Sequence, residues 1–388
     1  MRLGTLFTLA LLGLVGCGGS TSGGGTGGSG ATGGVGATGG VGATGGVGAT
    51  GGVGATGGVG ATGGASGGSS VGQPPPPDPN APPASSTTPT TLAVQRLFLG
   101  DTDLGGNPDP NAWRKLGFNV DGLVSDKMSA NHCKYQEGAT KSSVQIDGEN
   151  GIDNSFGSNL VKIIASLMAN PSQSVTDSIN GGGGTWLLHL PNLGPQPSQN
   201  GVTAAMFSGA KLGLAPAWQG GDVWPVTYES VVGGNIAQPL VTFPQSYVVN
   251  GVWVGAPAAS GALDLVLDGQ DFGLGFRIHH PRVTALVIGT GPNAKATYGV
   301  ISGVIDTEEY VAMLKQVAGS FDQTLCEGAT FESIAQQIRA ASDIMNDGSN
   351  GDPSKICNGI SIGLGFEAMA VKLGPVAGKA PPPVQYCK

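Results

Sequence analysis

Gly359-Ile360-Ser361-Ile362-Gly363-Leu364-Gly365-Phe366 places a large apolar side chain at every second position, with only glycine or serine between. In an extended chain that spacing sends Ile360, Ile362, Leu364 and Phe366 to one face. The other face is lined by glycine, which weakens a strand unless something approaches it closely. The tetrapeptide Gly363–Phe366 recurs as Gly273-Leu274-Gly275-Phe276, where Phe272, Leu274, Phe276 and Ile278 repeat the pattern. The two segments are expected as strands of one sheet, their outer faces ending in Arg277 and Glu367, with a loop, an aromatic ring or a ligand over the glycines.

Outward from these strands, alternation recurs. Trp186, Leu188 and Leu190 share one face, as do Leu263, Leu265 and Leu267, with Asp264 and Asp268 opposite. Further strands are expected around residues 202–207, 223–230, 246–254, 283–288 and 296–305. Three helices interrupt them. Asp153 or Asn154 can cap one that carries Leu160, Ile164, Leu167 and Met168 and ends at Asn170-Pro171. Asp306 and Glu309 form a capping box ahead of Tyr310, Met313, Leu314 and Val317. The third helix runs from Thr330 to about Met345. Helices that cluster instead of alternating with strands argue against βαβ units. The expected fold is mainly β with a few helices, a jelly-roll-like β-sandwich carrying a helical insertion.

The N-terminus says where the chain resides. Arg2 followed by an apolar run from Leu3 to Gly16 reads as a signal peptide over residues 1–16, too short to span a bilayer. Leu14-Val15-Gly16-Cys17 resembles the lipobox of bacterial lipoproteins, whose cysteine is acylated and becomes the new N-terminus. The resemblance implies lipidation at Cys17. Gly18 stands where an inner-membrane retention signal would place aspartate, so it also implies an outer-membrane anchor, displayed at the cell surface.

Residues 17–91 read as a tether ahead of one globular domain at 92–388. The hexad GATGGV repeats from residue 30 and closes as GATGGA at 60–65, offering no large side chain to bury. Pro74 to Pro77, Pro79, Pro82, Pro83 and Pro89 then favour stiff polyproline II. As a coil the tether spans about 50 Å, enough to lift the domain clear of a crowded surface. A net charge of −8, all of it carried after Thr91, excludes nucleic acid as a natural partner.

Export also frames the cysteines. With Cys17 lipidated, four remain: Cys133, Cys326, Cys357 and Cys387. An even number in an oxidising compartment points to disulfides, and the absence of Cys-x-x-Cys argues against zinc. Three pairings are open. Because Cys326 and Cys357 flank the last helix, Cys326–Cys357 with Cys133–Cys387 is favoured.

No constellation identifies a reaction. Gly359-Ile360-Ser361-Ile362-Gly363 matches the nucleophile-elbow pattern of α/β-hydrolases, but alternation continues through Ser361, and no histidine follows it. Gly289-Thr290-Gly291-Pro292-Asn293-Ala294 mimics a dinucleotide fingerprint, yet strand follows on both sides, so a hairpin turn is expected. His132, His189, His279 and His280 include no metal-binding pair at helical spacing, although His279 would share the outer face of its strand with Arg277.

Two features suggest binding. Asp147, Glu149, Asn150 and Asp153 gather hard oxygen ligands in one loop, the chemistry calcium requires, and Asp347 to Asp352 forms a second, weaker loop of this kind. No cofactor is otherwise called for. Trp218, Trp224 and Tyr228 lie close to Asp222, rings and a carboxylate in the combination that recognises sugars. The globular region loosely resembles glycine-tethered surface lipoproteins of soil-dwelling gliding bacteria, a resemblance that implies place without activity. The expected role is a tethered binding or structural module for glycan or cell-surface matrix. The alternative is a hydrolase of polysaccharide or peptide.

Overall fold

A computed structural model describes residues 72–255, 262–268, 273–321, 325–326 and 328–379. Cys17, Cys387, Phe272 and the hexad repeats lie outside the described residues. In chain order the strands are β1 (Thr90–Phe98), β2 (Thr185–Leu190), β3 (Gln199–Gly209), β4 (Val223–Val226), β5 (Val241–Val249), β6 (Val252–Gly255), β7 (Ala262–Asp268), β8 (Gly273–Ile288), β9 (Lys295–Asp306), β10 (Gly359–Ala370) and β11 (Lys372–Val376). The α-helices are α1 (Lys141–Val144), α2 (Val161–Leu167), α3 (Pro171–Asn180), α4 (Thr307–Phe321) and α5 (Ala329–Arg339).

The sandwich expectation is overturned by β3. One of its edges pairs with β2, Leu188 opposite Met206, and the other pairs with β5, Val241 opposite the same Met206. Following neighbours through β3, β2, β1, β10, β9, β8, β6 and β5 therefore returns to β3. Eight antiparallel strands close into a barrel. Register shifts in β1, β3, β8 and β10 supply the local bends that closure needs. A period-two pattern specifies one buried face, but it does not specify whether a second sheet covers that face or the same sheet curls around it.

The buried faces meet inside the barrel. Ile360, Ile362, Leu364 and Phe366 join Ile301, Ile305, Leu188, Trp186, Phe243 and Trp253 in one contiguous core. Phe243 and Trp253 meet edge to face, their ring centroids 5.6 Å apart. The Trp253 indole donates to Ser246 Oγ at 3.0 Å, so this buried polar pair is satisfied. Gly299 makes room for a ring: a Cβ there would lie 2.5 Å from the Phe366 side chain opposite it. As expected, β8 and β10 belong to one sheet, with β9 between them.

The helices come as two insertions at one end of the barrel. Since β10 runs antiparallel to both β1 and β9, those two strands finish at the same end. The chain from β1 to β2 holds α1 to α3, and the chain from β9 to β10 holds α4 and α5. Phe156, Ile164, Val175, Tyr310, Phe331 and Ile338 extend the core over that end. Asp306 caps α4 as expected, its Oδ1 accepting from Glu309 N–H at 2.9 Å. Asn154 accepts from Gly157 N–H at 2.9 Å and opens a π-turn, Phe156–Leu160, that leads into α2. Pro171 does end α2, and it also starts α3 from the first helical position, where proline loses nothing. The last helix is shorter than expected, because beyond Arg339 the chain turns Asp343 inward and Ile344 bridges to Gly359.

The glycine face of β10 is covered by a loop. A Cβ on Gly363 would lie 2.1 Å from the Leu116 carbonyl oxygen, and one on Gly365 would lie 3.0 Å from both Leu104 and Leu116 side chains. The β1 ladder stops at Gly365, and at Gly363 the Asn154 side-chain amide takes over, accepting from its N–H at 3.0 Å and donating to its carbonyl at 2.9 Å. The far side of this covering segment is joined to the entry of β10 by a disulfide, Cys133–Cys357. That bond corrects the expected pairing of Cys326 with Cys357 and of Cys133 with Cys387. Cys326 is itself disulfide-bonded.

The proline-rich stretch also departs from a free spacer. Ala84 N–H donates to the Asn200 carbonyl at 2.7 Å, Asn200 N–H to the Pro82 carbonyl at 2.9 Å, and the Tyr247 hydroxyl to the Pro75 carbonyl at 2.6 Å. Arg282 Nη1 donates to Gln73 Oε1 at 2.7 Å. Residues 72–89 are thus a strap bound along the barrel, and β1 itself begins inside the stretch read as tether. Polyproline II leaves backbone carbonyls unpaired, and here barrel side chains and backbone use them.

Candidate functional site

Burial removes Trp224 from the expected sugar platform, while Trp218, Asp222 and Tyr228 stay half-buried. Trp224 is fully buried on the outer wall of the barrel, in a second core with Leu187, Phe207 and Val226. Its indole donates to the Ala210 carbonyl at 2.8 Å. Trp218 lies against it at 5.5 Å and donates to Asn180 Oδ1 at 2.8 Å. Asp222 accepts from Ala217 N–H at 3.0 Å and Trp218 N–H at 2.8 Å, which organises the loop and holds Trp218 at φ 57°. The Tyr228 ring covers Gly234. These residues form a structural corner, and Trp224 presents no face to a ligand.

The expected calcium loop spends its oxygens on backbone. Asp153 Oδ2 accepts from Val120 N–H at 2.6 Å and Asp121 N–H at 3.2 Å, and Asp147 Oδ2 accepts from Ser125 N–H at 2.5 Å. Glu149 pairs across the surface with Lys115 at 3.8 Å, and Asn150 occupies the left-handed turn at φ 61°. Burial pushes the Asp147 carboxyl up to about 7 and also raises that of Asp153, with the neighbouring carboxylates adding to both. Among the described residues no three histidine, cysteine or acidic side chains gather as a metal-binding group.

Ser361, the elbow serine, is fully buried near the start of β10. Its hydroxyl donates to Asp343 at 2.5 Å and accepts from Ser155 N–H at 2.8 Å, so it pins the α5–β10 connection to the covering loop. Gly289 to Ala294 form the β8–β9 hairpin, as expected.

The site that the structure does form lies where the barrel wall changes partners. Along β8, Val283 to Leu286 pair with β6, whereas Gly273 to His279 pair with β7. At the helical end, therefore, β7 stands where β6 would have continued. Among the described residues no ladder joins β7 to β3 or β5. The fissure is bridged by side chains, with the Trp186 indole donating to the Asp264 carbonyl at 3.1 Å. Beside that bridge opens a cavity of about 620 Å³.

Its lining is mixed. Met206, Leu240, Val241, Leu263, Ala312 and Met313 give it an apolar floor, drawn from β3, β5, β7 and α4. Ser208, Thr227, Ser230 and Gln316 add neutral polar groups, and Glu229, Asp264, Arg277 and Glu309 add charge. Arg277 organises the charged wall. Its Nε and Nη2 donate to the two oxygens of Asp264 at 2.7 and 3.3 Å, and its Nη1 donates to Glu309 Oε1 at 3.0 Å. The other Glu309 oxygen meets His279 Nε2 at 2.7 Å. The Asp264 hydrogen bonds, followed by the attraction of both carboxylates, hold the Arg277 guanidinium still more firmly protonated than usual. A half-exposed network of this kind adds little to stability, but it fixes the orientation of three side chains at the cavity mouth.

The sequence carries each part without the assembly. Alternation puts Asp264 on one strand face and Arg277 with His279 on another, and Glu309 falls in a helix cap. The cross-strand register that sets Asp264 opposite Arg277 joins the first two, and the turn from β9 into α4 delivers the third. Period-two spacing of Arg277 and His279 was the available signal. The chain matches no protein-family model, no curated protein and no solved structure.

Proposed function

We propose that this chain is a lipid-anchored surface protein of the outer membrane whose barrel binds glycan or matrix in the fissure beside β7. The lipobox-like Cys17 and the glycine tether support the place. The observation that carries the binding role is the cavity of about 620 Å³, open at a break in an otherwise closed wall and lined by oriented carboxylates over aliphatic side chains. Clefts lined by apolar side chains with a few placed polar groups are the usual ligand sites, and a cavity of this size suits one or two sugar rings. Carboxylates take hydroxyl hydrogens, while Leu240 and Met313 offer an apolar surface to ring C–H groups.

A glycan array probed with the full-length protein in detergent tests this reading. Binding to a defined glycan set is the expected result. A blank array alongside a positive screen for polysaccharide or peptide hydrolysis would replace binding with catalysis.

A further inference from the structure

Resting on the reading of the fissure as a glycan site, we infer that it reads a vicinal diol: two neighbouring free hydroxyls of a sugar ring, each held between Arg277 and one carboxylate. Arg277 Nε and Nη2 donate to Asp264, and Nη1 donates to Glu309, at 2.7 to 3.3 Å. Each terminal nitrogen of a guanidinium carries a pair of hydrogens, so one donor remains on Nη1 and one on Nη2. Beside each stands a carboxylate, Glu309 at Nη1 and Asp264 at Nη2. The acceptors are fixed as well. Each Asp264 oxygen takes a single bond from Arg277, Glu309 Oε1 takes another, and Glu309 Oε2 is held by His279 Nε2 at 2.7 Å. His279 thus acts as a positioning residue that sets the plane of the Glu309 carboxyl, while lone pairs remain on Oε1 and on both Asp264 oxygens.

A hydroxyl both accepts and donates, so it satisfies an Arg277 N–H and the neighbouring carboxylate at once. An ammonium group only donates, and a carboxylate, a sulfate or a methyl ether only accepts. Each of these leaves one half of the pair unmet after its water has been displaced. Because the terminal nitrogens form a rigid fork, the matching ligand carries its hydroxyls on adjacent carbons. The strand leaves room for them. Gly275, on the same face of β8 as Arg277, also lines the cavity and brings no side chain to it. Loop side chains cover Gly365 of β10, whereas at Gly275 the cavity opens.

Calorimetry on the full-length protein in detergent tests the inference with soluble polysaccharides. Glucan, mannan and xylan linked through the fourth ring carbon keep two neighbouring hydroxyls free, and glucan linked through the third keeps none on its internal rings. Each is titrated before and after periodate, which cuts the carbon–carbon bond of a vicinal diol, followed by borohydride reduction of the aldehydes formed. At least one of the first three is expected to bind, at least about tenfold more tightly than its cleaved form and than the glucan linked through the third carbon. Arg277→Lys keeps the charge and loses the fork. Shown by thermal melting to be folded, it should bind the intact polymer at least about tenfold more weakly and be less sensitive to periodate treatment. Equal binding before and after periodate, or tighter binding of the glucan linked through the third carbon, would overturn diol recognition and leave the glycan site standing. Failure of all four polymers at millimolar sugar concentration would overturn diol recognition, and a blank glycan array beside it would overturn the glycan site as well.

Discussion

Asp343 is buried, and its two carboxyl oxygens receive the backbone N–H of Ser361 at 2.8 Å and the Ser361 hydroxyl at 2.5 Å. Burial nevertheless outweighs these bonds and pushes its carboxyl up to about 8. With Asp147 near 7 and Asp153 also raised, the folded chain holds protons that the unfolded chain releases near pH 4. Stability contributed in this way is complete at low pH and is lost as pH rises toward 8.

Two histidines, buried His132 and half-buried His189, act in the opposite sense. Burial lowers His132 and His189, so below their ordinary value of 6.5 they weaken the fold. The window between about pH 8 and 6.5 therefore isolates the aspartates. Tm is expected to rise by several degrees as pH is lowered across it, and Asp343→Asn should reduce the slope. A Tm that falls across the same interval would contradict the assignment.

Gly363→Ala and Gly299→Ala test the close approaches that shape the barrel wall. The first drives a methyl to within 2.1 Å of the Leu116 carbonyl oxygen, and the second to within 2.5 Å of the Phe366 ring. Each should destabilise by about 1–3 kcal/mol in denaturant titrations. Gly351→Ala, which meets open space, should stay within about 0.5 kcal/mol of the parent.

Loss of the disulfide should loosen the covering segment. Cys133 and Cys357 stand 224 residues apart in sequence, so their bond constrains a large part of the unfolded chain. Replacing both with serine is expected to lower stability by about 2–5 kcal/mol and to increase hydrogen exchange in residues 116–153. Unchanged exchange there would mean that the loop is held by its hydrogen bonds alone.

The strap gives a truncation prediction. Removal of residues 1–71 should leave Tm unchanged. Removal through Pro89 should lower it, because the bonds of Asn200, Tyr247 and Arg282 are then lost at about 1 kcal/mol each. Identical melting of the two truncations would return this segment to the tether.

Strand content and core faces were legible in the sequence because period-two spacing is a local signal. Ile360 to Phe366 and Trp186 to Leu190 all bury the faces their spacing predicts. Closure was not legible, since it depends on Met206 lying between Leu188 and Val241, a relation among three distant segments. Trp224 misled for a related reason. An aromatic on an alternating strand looks the same whether its face meets solvent or a second core, and here Leu187 and Phe207 of the barrel wall, Leu373 of β11 and Val231 after β4 supply that core. The cavity residues were visible one by one, while the fissure that unites them arises from β8 exchanging β6 for β7.

Filling the cavity tests the central claim most directly. Met313 lies half-buried in the lining on α4, and Met313→Trp would place a ring where the ligand is expected. With a glycan identified on the array, calorimetry on the full-length protein should show the variant binding at least about tenfold more weakly at unchanged Tm. Equal affinity in variant and parent would place the ligand elsewhere and contradict the account.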